Sequence, residues 1–251
     1  MKFSFVFPGQ GSQSVGMMKG YSDLTIVKDT FSEASDILND DFWAMANNGP
    51  PDILNLTTNT QPLMLISGVA IYRAWKNLGG ADPTFIAGHS LGEYTALVVS
   101  GVMTFKDALS IVQFRGSVMQ QAVPEGVGKM AAILGLDDET IQAICIEITR
   151  KSKKELLEPA NYNSPGQVVV AGHKNAVLRG IELAKKKGAK MAVLLPMSVP
   201  SHCSLMASAA KKMQKRLETI KMQAPSIPVI HNADVKQHKD STDIKDILVK
   251  Q

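Results

Sequence analysis

The feature of this sequence that most limits its fold is the turn Gly88-His89-Ser90-Leu91-Gly92. A short apolar run, 84–87, precedes it, and a segment with the composition of a helix, 93–100, follows it. A buried strand that turns sharply into a helix is typical of α/β proteins. The two glycines allow the strained backbone that such a turn requires. We therefore predict a serine hydroxyl exposed at the positive end of a helix.

The same five residues match the G-x-S-x-G pattern of serine nucleophiles, and the backbone N–H of Leu91 can point at an oxyanion. A serine becomes nucleophilic only beside a base. Among the five histidines, His202 is slightly favoured because its loop returns from a predicted inserted segment, and domain junctions often hold functional sites. His231 and His238 remain open as alternatives.

Hydrophobic periodicity and turn residues divide the chain into two parts. The first part carries two strands and several helices, and it resumes after the insert with a helix, a strand and a polar tail. The predicted segments of this part are strands 2–7, 84–87 and 229–230, with helices 27–38, 61–78, 93–100, 105–121 and 206–220. The segment 126–197 follows a strand–helix–strand–helix–strand pattern, which predicts a small inserted α+β subdomain. Its predicted strands are 130–134, 168–171 and 191–196, and its predicted helices are 137–148 and 175–187, the second closed by Gly188.

Composition and charge limit the classes of function. With 251 residues and 45% hydrophobic residues, the chain can bury a core without disulfides, and its two cysteines lack zinc-ligand spacing. Residues 1–125 carry a net charge of −4, whereas residues 126–251 carry +8. Few aromatic residues and no nucleic-acid-binding motif make an acidic protein a better partner than nucleic acid. The N-terminal apolar run is too short for a signal peptide, so we expect a cytoplasmic protein.

Five separated motifs together resemble one known family. They are Phe7-Pro8-Gly9-Gln10-Gly11-Ser12-Gln13, Gly88-His89-Ser90-Leu91-Gly92-Glu93, Gln113-Phe114-Arg115-Gly116, Asn161-Tyr162-Asn163-Ser164-Pro165-Gly166-Gln167 and Val199-Pro200-Ser201-His202. In this order they resemble the malonyl-CoA:acyl carrier protein transacylases of bacterial type II fatty-acid synthesis. The acyltransferase domains of polyketide and animal fatty-acid synthases share much of the pattern.

The resemblance implies a role for each matching residue. Ser90 would attack the malonyl thioester, and His202 would take its proton and return it to the leaving thiol. The backbone N–H groups of Gln10 and Leu91 would form the oxyanion hole. Arg115 would pair with the free carboxylate of malonate, since a guanidinium matches a carboxylate with two hydrogen bonds.

The resemblance also implies the partners. Malonyl-CoA would supply the acyl group, and an acidic acyl carrier protein would accept it on its phosphopantetheine thiol, which fits the basic second half of the chain. Coenzyme A and phosphopantetheine enter with the substrates, so no bound cofactor and no metal are expected. We expect no nucleic-acid or membrane partner and a monomeric protein.

The implied fold is α/β, with a large α/β-hydrolase-like domain that has a parallel sheet and a small inserted ferredoxin-like α+β subdomain. The large domain would comprise 1–125 and 198–251, and the insert 126–197. The family continues beyond the position of Gln251, so the C-terminal part of the large domain is expected to be missing here. The backbone carbonyl of Gln251 would orient the histidine. Asn161 and Asn163 are assigned to a turn, because Asn-x-x-Pro-Gly is a turn signal.

Two other functions remain open at this point. A serine thioesterase or esterase would share the Ser90 turn, although the sequence has no H-G-G-G oxyanion motif and no aspartate with an obvious triad role between Ser90 and His202. A truncated protein that binds the carrier without turnover would share the fold and the basic half.

Overall fold

A computed structural model of the chain describes residues 2–152, 154–197 and 199–251. The chain forms two compact units: one holds the residues up to Ser117 together with Lys211–Gln251, and the other holds Val118–Ala210. The predicted insert, 126–197, falls inside the second unit, which extends beyond it at both ends. No helix in the described part of the chain has the length and apolarity that a membrane crossing requires.

In chain order the elements are β1 (Ser4–Phe7), α1 (Thr25–Leu38), α2 (Phe42–Asn48), α3 (Pro51–Leu54), α4 (Thr57–Asn77), β2 (Phe85–Gly88), α5 (Gly92–Val99), α6 (Phe105–Ala122), β3 (Gly128–Leu134), α7 (Asp138–Lys151), β4 (Leu157–Ser164), β5 (Gln167–His173), α8 (Lys174–Lys186), β6 (Met191–Leu194), α9 (Ala207–Glu218), β7 (Val229–Ile230) and α10 (Ser241–Lys250). Short 3-10 helices occur at Lys19–Tyr21 and Ser204–Met206.

The sheet of the first unit is parallel, with the strand order β1-β2-β7. It confirms the predicted α/β class with a parallel sheet. Phe7 at the end of β1 lies opposite Gly88 at the end of β2. Because parallel strands in register end at one edge of the sheet, the segments that follow β1 and β2 emerge side by side. This edge therefore brings together the glycine-rich motifs that the sequence separates by about eighty residues.

Buried helices support this edge from within the first unit. α5 begins immediately after the Ser90 turn, and its Tyr94 and Leu97 are fully buried. α4 carries the apolar core residues Leu63, Leu65 and Ile66, which are also fully buried. The Ser90 turn is therefore attached to buried elements at both ends, since it leads into α5 and follows β2, whose Ile86 is 1% exposed. In the order β1-β2-β7, β1 is an outer strand that pairs only with β2 among the described strands, and its Val6 is 71% exposed.

The segment after β7 is not the polar tail that the sequence predicts, because α10 occupies Ser241–Lys250. The Asp240 carboxylate caps this helix by accepting a hydrogen bond from the Thr242 N–H at 2.7 Å. Ile244, Ile247 and Leu248 are buried along one side of it. The prediction was wrong because these three apolar residues are spaced among charged ones, so the low overall hydrophobicity concealed an amphipathic helix.

The second unit has an antiparallel sheet with the strand order β4-β5-β3-β6. Its elements follow the order β3-α7-β4-β5-α8-β6, so the sequence analysis missed one strand, β4. Asp137 caps α7 by accepting a hydrogen bond from the Thr140 N–H at 2.7 Å. Gly188, which has φ +92°, follows α8 at its predicted end.

Asn161 and Asn163 lie in β4 rather than in the predicted turn. Asn161 pairs with Val169 of β5, and the register is irregular on both sides of it. The turn itself is shorter and centres on Gly166, which has φ +75°. Pairing with β5 prevailed over the local turn tendency of the asparagines, which is common for strands that depend on distant partners.

Candidate active site

Ser90 lies on a sharp strand-to-helix turn between β2 and α5, as predicted. Its φ is +51°, in the left-handed region that residues other than glycine seldom adopt. Both flanking glycines are required by space. A Cβ atom on Gly88 would lie 1.9 Å from the Gly92 carbonyl carbon, and one on Gly92 would lie 2.2 Å from the Phe7 carbonyl oxygen. The glycines let the backbone fold back closely enough to place the serine at the beginning of a helix.

The Gln10 segment packs against the same turn. The His89 N–H donates to the Phe7 carbonyl at 2.9 Å, and a Cβ on Gly9 would lie 2.4 Å from the His89 carbonyl oxygen. The side-chain amide of Gln10 donates to Thr57 Oγ1 at 3.0 Å, which ties this segment to the start of α4. Leu91, the other predicted contributor to an oxyanion hole, is fully buried immediately before α5. The oxyanion-hole role of the two N–H groups stays a prediction.

Arg115 on α6 is buried and reaches the Ser90 hydroxyl. One guanidinium nitrogen, Nη1, donates to Gln61 Oε1 at 2.9 Å. The other, Nη2, donates to Ser90 Oγ at 3.3 Å and to Gln251 Oε1 at 2.9 Å. The guanidinium carbon lies 5.6 Å from the centre of the Tyr94 ring. Burial lowers the pKa of Arg115 and raises that of Tyr94 to about 12.

Gln251 reaches the site through its side chain, whereas the sequence analysis assigned a role to its backbone carbonyl. Its amide nitrogen donates to Glu93 Oε2 at 2.8 Å and to the Ser90 carbonyl at 3.3 Å, while its amide oxygen accepts from Arg115. It therefore joins the turn, the arginine and a buried carboxylate. The predicted contact of its carbonyl with the histidine stays a prediction.

The sequence analysis missed Glu93 and Asn232. Glu93, in the first turn of α5, is 1% exposed and accepts hydrogen bonds from the Asn232 side chain and from the Asn232 N–H at 3.0 Å. Asn232, two residues after β7, also contacts the Ser90 turn. The extended run Gly88–Glu93 contains the one available signal, the acidic residue next to the second glycine. Nothing in the sequence marks Asn232.

His202 lies in the second unit, in the turn that follows Val199-Pro200, and its φ is +59°. Histidine is among the few residue types that enter the left-handed region with some frequency. Neighbouring contacts hold this segment. A Cβ on Gly128 would lie 2.3 Å from Pro200 Cγ, so the segment packs closely against β3. The Ser204 hydroxyl donates to Glu158 Oε1 at 2.7 Å. The pairing of His202 with Ser90 stays a prediction.

The other candidate bases have partners of their own. His231 is 1% exposed, and its Nδ1 bonds to Glu93 Oε1 at 2.7 Å. His238 Nε2 lies 2.8 Å from Asp234 Oδ2. Both side chains thus bond to a carboxylate of the first unit, and the choice among the three histidines stays a prediction. The described residues contain no group of histidine, cysteine and acidic side chains that could hold a metal ion.

A family model described as "acyl transferase domain" matches residues 4–250 of this chain. The match spans both compact units and contains every residue of the candidate site except the last, Gln251. The chain belongs to the acyl transferase family. The resemblance to that family inferred from the five motifs is thereby confirmed.

Individual members of the acyl transferase family are similar over the whole chain. It is 51% identical to the malonyl CoA-acyl carrier protein transacylase of Salmonella typhimurium and 41% identical to that of Bacillus subtilis, covering 100% of this chain and 80% and 78% of those proteins. The crystal structure of the acyl-carrier-protein S-malonyltransferase of Burkholderia pseudomallei has a TM-score of 0.96 and 52% identity, over 100% of this chain and 80% of that one.

A further structural relative was solved with its partner. It is a malonyl-transacylase in complex with the acyl carrier protein of a type II polyketide synthase, with a TM-score of 0.96 and 48% identity over 100% of this chain and 80% of that one. These similarities concern chains that extend beyond the matched region. Within it, the backbone of this chain follows theirs closely.

Proposed function

We propose that this chain is a malonyl-CoA:acyl carrier protein malonyltransferase acting in fatty-acid biosynthesis. The observation that carries the proposal is the position of Arg115 Nη2, 3.3 Å from the Ser90 hydroxyl on a strand-to-helix turn. A nucleophile beside a buried guanidinium suits an acyl group that ends in a carboxylate. The relatives' names, and the carrier complex of one of them, supply the two substrates.

The reaction would proceed through two acyl transfers. In the first, Ser90 Oγ forms a bond to the thioester carbonyl carbon of malonyl-CoA while its proton passes to His202. The N–H groups of Gln10 and Leu91 stabilise the oxyanion. When the carbon–sulfur bond breaks, coenzyme A leaves with the proton from His202, and a malonyl-serine ester remains.

In the second transfer, the phosphopantetheine thiol of the carrier gives its proton to His202 and attacks the ester. The malonyl thioester of the carrier forms, and the proton returns to Ser90 Oγ. Coenzyme A and phosphopantetheine thus come with the substrates, and we propose that no bound cofactor or metal takes part. Gln251 would assist by orienting His202 through its backbone carbonyl.

Arg115 gives this reaction its selectivity. The guanidinium would exchange its weak 3.3 Å bond to Ser90 for two bonds to the malonyl carboxylate, while Gln61 keeps its orientation. An acetyl group would leave a buried cation without that partner. Sites built around such a pair reject analogues that lack the paired group by large factors.

The finer predictions from the sequence belong to the same proposal. The order β3-α7-β4-β5-α8-β6 and the sheet order β4-β5-β3-β6 support a ferredoxin-like second unit, and the parallel sheet with its serine turn supports an α/β-hydrolase-like first unit. We propose a monomer located in the cytoplasm that docks an acidic carrier through its basic second half.

Intact-mass spectrometry after exposure to malonyl-CoA tests the proposal. We expect a malonyl adduct on the wild-type protein and on Ser32→Ala, a control at an exposed serine, but none on Ser90→Ala. Added carrier protein should discharge the adduct and become malonylated. Rapid release of free malonate without carrier would favour a thioesterase, and carrier binding without an adduct would favour a binding protein. Either result contradicts the transferase.

A further inference from the structure

The left-handed backbone of Ser90 is strained, and such a conformation persists only where its surroundings determine it strongly. We propose that Asn232, oriented by Glu93, is a positioning residue that holds the nucleophile turn in this conformation. The inference rests on the proposed function, in which Ser90 is the nucleophile. It gives a role to two residues that touch neither the acyl group nor the hydroxyl.

The side-chain amide of Asn232 binds both ends of the turn. Its Oδ1 accepts from the Ser90 N–H at 2.9 Å, and its Nδ2 donates to the Gly88 carbonyl at 2.5 Å. In a pair of parallel strands, a residue makes two hydrogen bonds to the neighbours of the residue opposite it. It accepts from the N–H of the residue that follows that opposite residue, and it donates to the carbonyl of the residue that precedes it. The amide of Asn232 makes this pair of bonds around His89, so it continues the β2–β7 pairing past the last paired residues, Ala87 and Ile230.

This continuation matters because β2 ends at the turn. The backbone of Ser90 departs from the strand direction, so no further residue of β7 can pair with it. A side chain that supplies one acceptor and one donor replaces the missing peptide group. The Asn232 side chain accepts a hydrogen bond from the Ser90 N–H. That N–H lies outside the helical hydrogen bonding of α5, which begins only at Gly92.

Glu93 determines which way the amide of Asn232 points. An asparagine amide can present either its oxygen or its nitrogen to a neighbour, whereas a carboxylate only accepts. Glu93 Oε2 accepts from Asn232 Nδ2 and from the Asn232 N–H, which directs Oδ1 toward the Ser90 N–H. His231 and Gln251 donate to the same buried carboxylate and keep it in place.

The test measures the rate of malonyl-serine formation in a single turnover on Asn232→Ala. We expect the maximal rate to fall about tenfold to a hundredfold, the size of effect expected from a misplaced nucleophile. The malonyl-CoA concentration at half-maximal rate should stay unchanged, because Asn232 binds the backbone of the turn and not the acyl pocket. Asn232 is exposed, so the truncation leaves no cavity. If the alanine variant does not fold, the same rate is measured on Asn232→Asp, whose side chain has nearly the same shape but lacks the Nδ2 donor.

Asn175→Ala is the matched control, since Asn175 is also exposed and also donates to a carboxylate, Glu155 Oε1 at 3.2 Å. It should acylate at the wild-type rate. Glu93→Gln should slow acylation by releasing the amide of Asn232. The double variant Glu93→Gln/Asn232→Ala should acylate less than threefold more slowly than Asn232→Ala alone, because both residues act on the same hydrogen bond to the Ser90 N–H.

The results separate this inference from the proposed function. If the wild-type protein forms no malonyl adduct, the proposed function fails. If the wild-type protein acylates and folded Asn232→Ala does so at the same maximal rate, the positioning role is wrong. A rise in the half-maximal concentration at unchanged maximal rate, or multiplicative effects of the two substitutions, would also overturn it.

Discussion

The interiors of the two compact units differ in kind. In the first unit, charged and amide side chains lie in the interior beside Ser90: Glu93, Arg115 and Gln61 are at most 7% exposed. The core of the second unit, between α7, α8 and the sheet, is a cluster of alanine, valine, isoleucine and leucine with Cys145. Burying polar groups is unfavourable unless each is paired, whereas apolar burial stabilises directly. The contrast indicates that the polar region beside Ser90 is arranged for chemistry, whereas the apolar core of the second unit serves stability.

The largest effect should come from removing the buried cation of the first unit. With Arg115→Ala, we expect malonyl transfer to fall about a thousandfold and acetyl transfer far less, because only malonate loses a partner. Steady-state rates with malonyl-CoA and acetyl-CoA measure the ratio. Arg150→Ala, at an exposed arginine of α7, should change neither rate. Equal losses with both substrates would remove the carboxylate-pairing argument.

The next effect concerns the apolar core. Ile144→Ala should lower the free energy of unfolding by roughly 2–5 kcal/mol, the range for truncating a fully buried isoleucine. The acylation rate of the folded protein should not change. Urea unfolding with Ile146→Ala as the control gives the measurement, since Ile146 is on the same helix and 50% exposed. Similar destabilisation by both substitutions would contradict the assigned core.

The thiols of the second unit offer a probe that depends on pH. Burial raises the pKa of Cys203 to about 11 and that of Cys145 to about 12. Because the thiolate is the reactive form, alkylation by iodoacetamide at pH 8 should be slower than for a free cysteine, by about two-hundredfold at Cys203 and about two-thousandfold at Cys145. The rate at Cys203 should rise about tenfold per pH unit from 8 to 10. Mass spectrometry measures the alkylation rate, with the protein unfolded in urea as the control. If the rate at Cys203 stopped rising by pH 9, the thiol would have an ordinary pKa and the prediction would be wrong.

The smallest effect should follow from changes on the exposed surface of the second unit. Reversing the charges of Lys185, Lys186 and Lys187 should alter the KM for the carrier only about twofold to threefold, because exposed charges are screened by salt. Reversal at the exposed Lys211, Lys212 and Lys215 provides the comparison. A large rise in KM for the first set alone would identify it as the carrier dock.

The sequence predicted what local patterns encode. The Ser90 turn, its strand and its helix depend on two glycines and a short apolar run, all within a dozen residues, and the structure has them as expected. Helix α8 was predicted for the same reason, since its apolar spacing and the closing Gly188 are local. These elements differ from the predictions only by a few residues at their ends.

Elements that depend on distant partners were missed. β4 contains Pro159 and two asparagines, residues that favour turns, and becomes a strand by pairing with β5. Asn232 joins the site through a hydrogen bond to a residue 142 positions away, so no motif could reveal it. The side-chain contacts of Gln251 with Arg115 and Glu93 depend in the same way on the assembled first unit.

The φ of +51° at Ser90 restricts which other nucleophiles this position could accept during protein engineering. A threonine carries a second substituent on Cβ, and β-branched residues are disfavoured in left-handed backbone. Cysteine has the same unbranched shape as serine and would fit. Conversion to a thiol enzyme is therefore open at this turn, whereas replacement by a secondary alcohol would require the turn itself to be rebuilt.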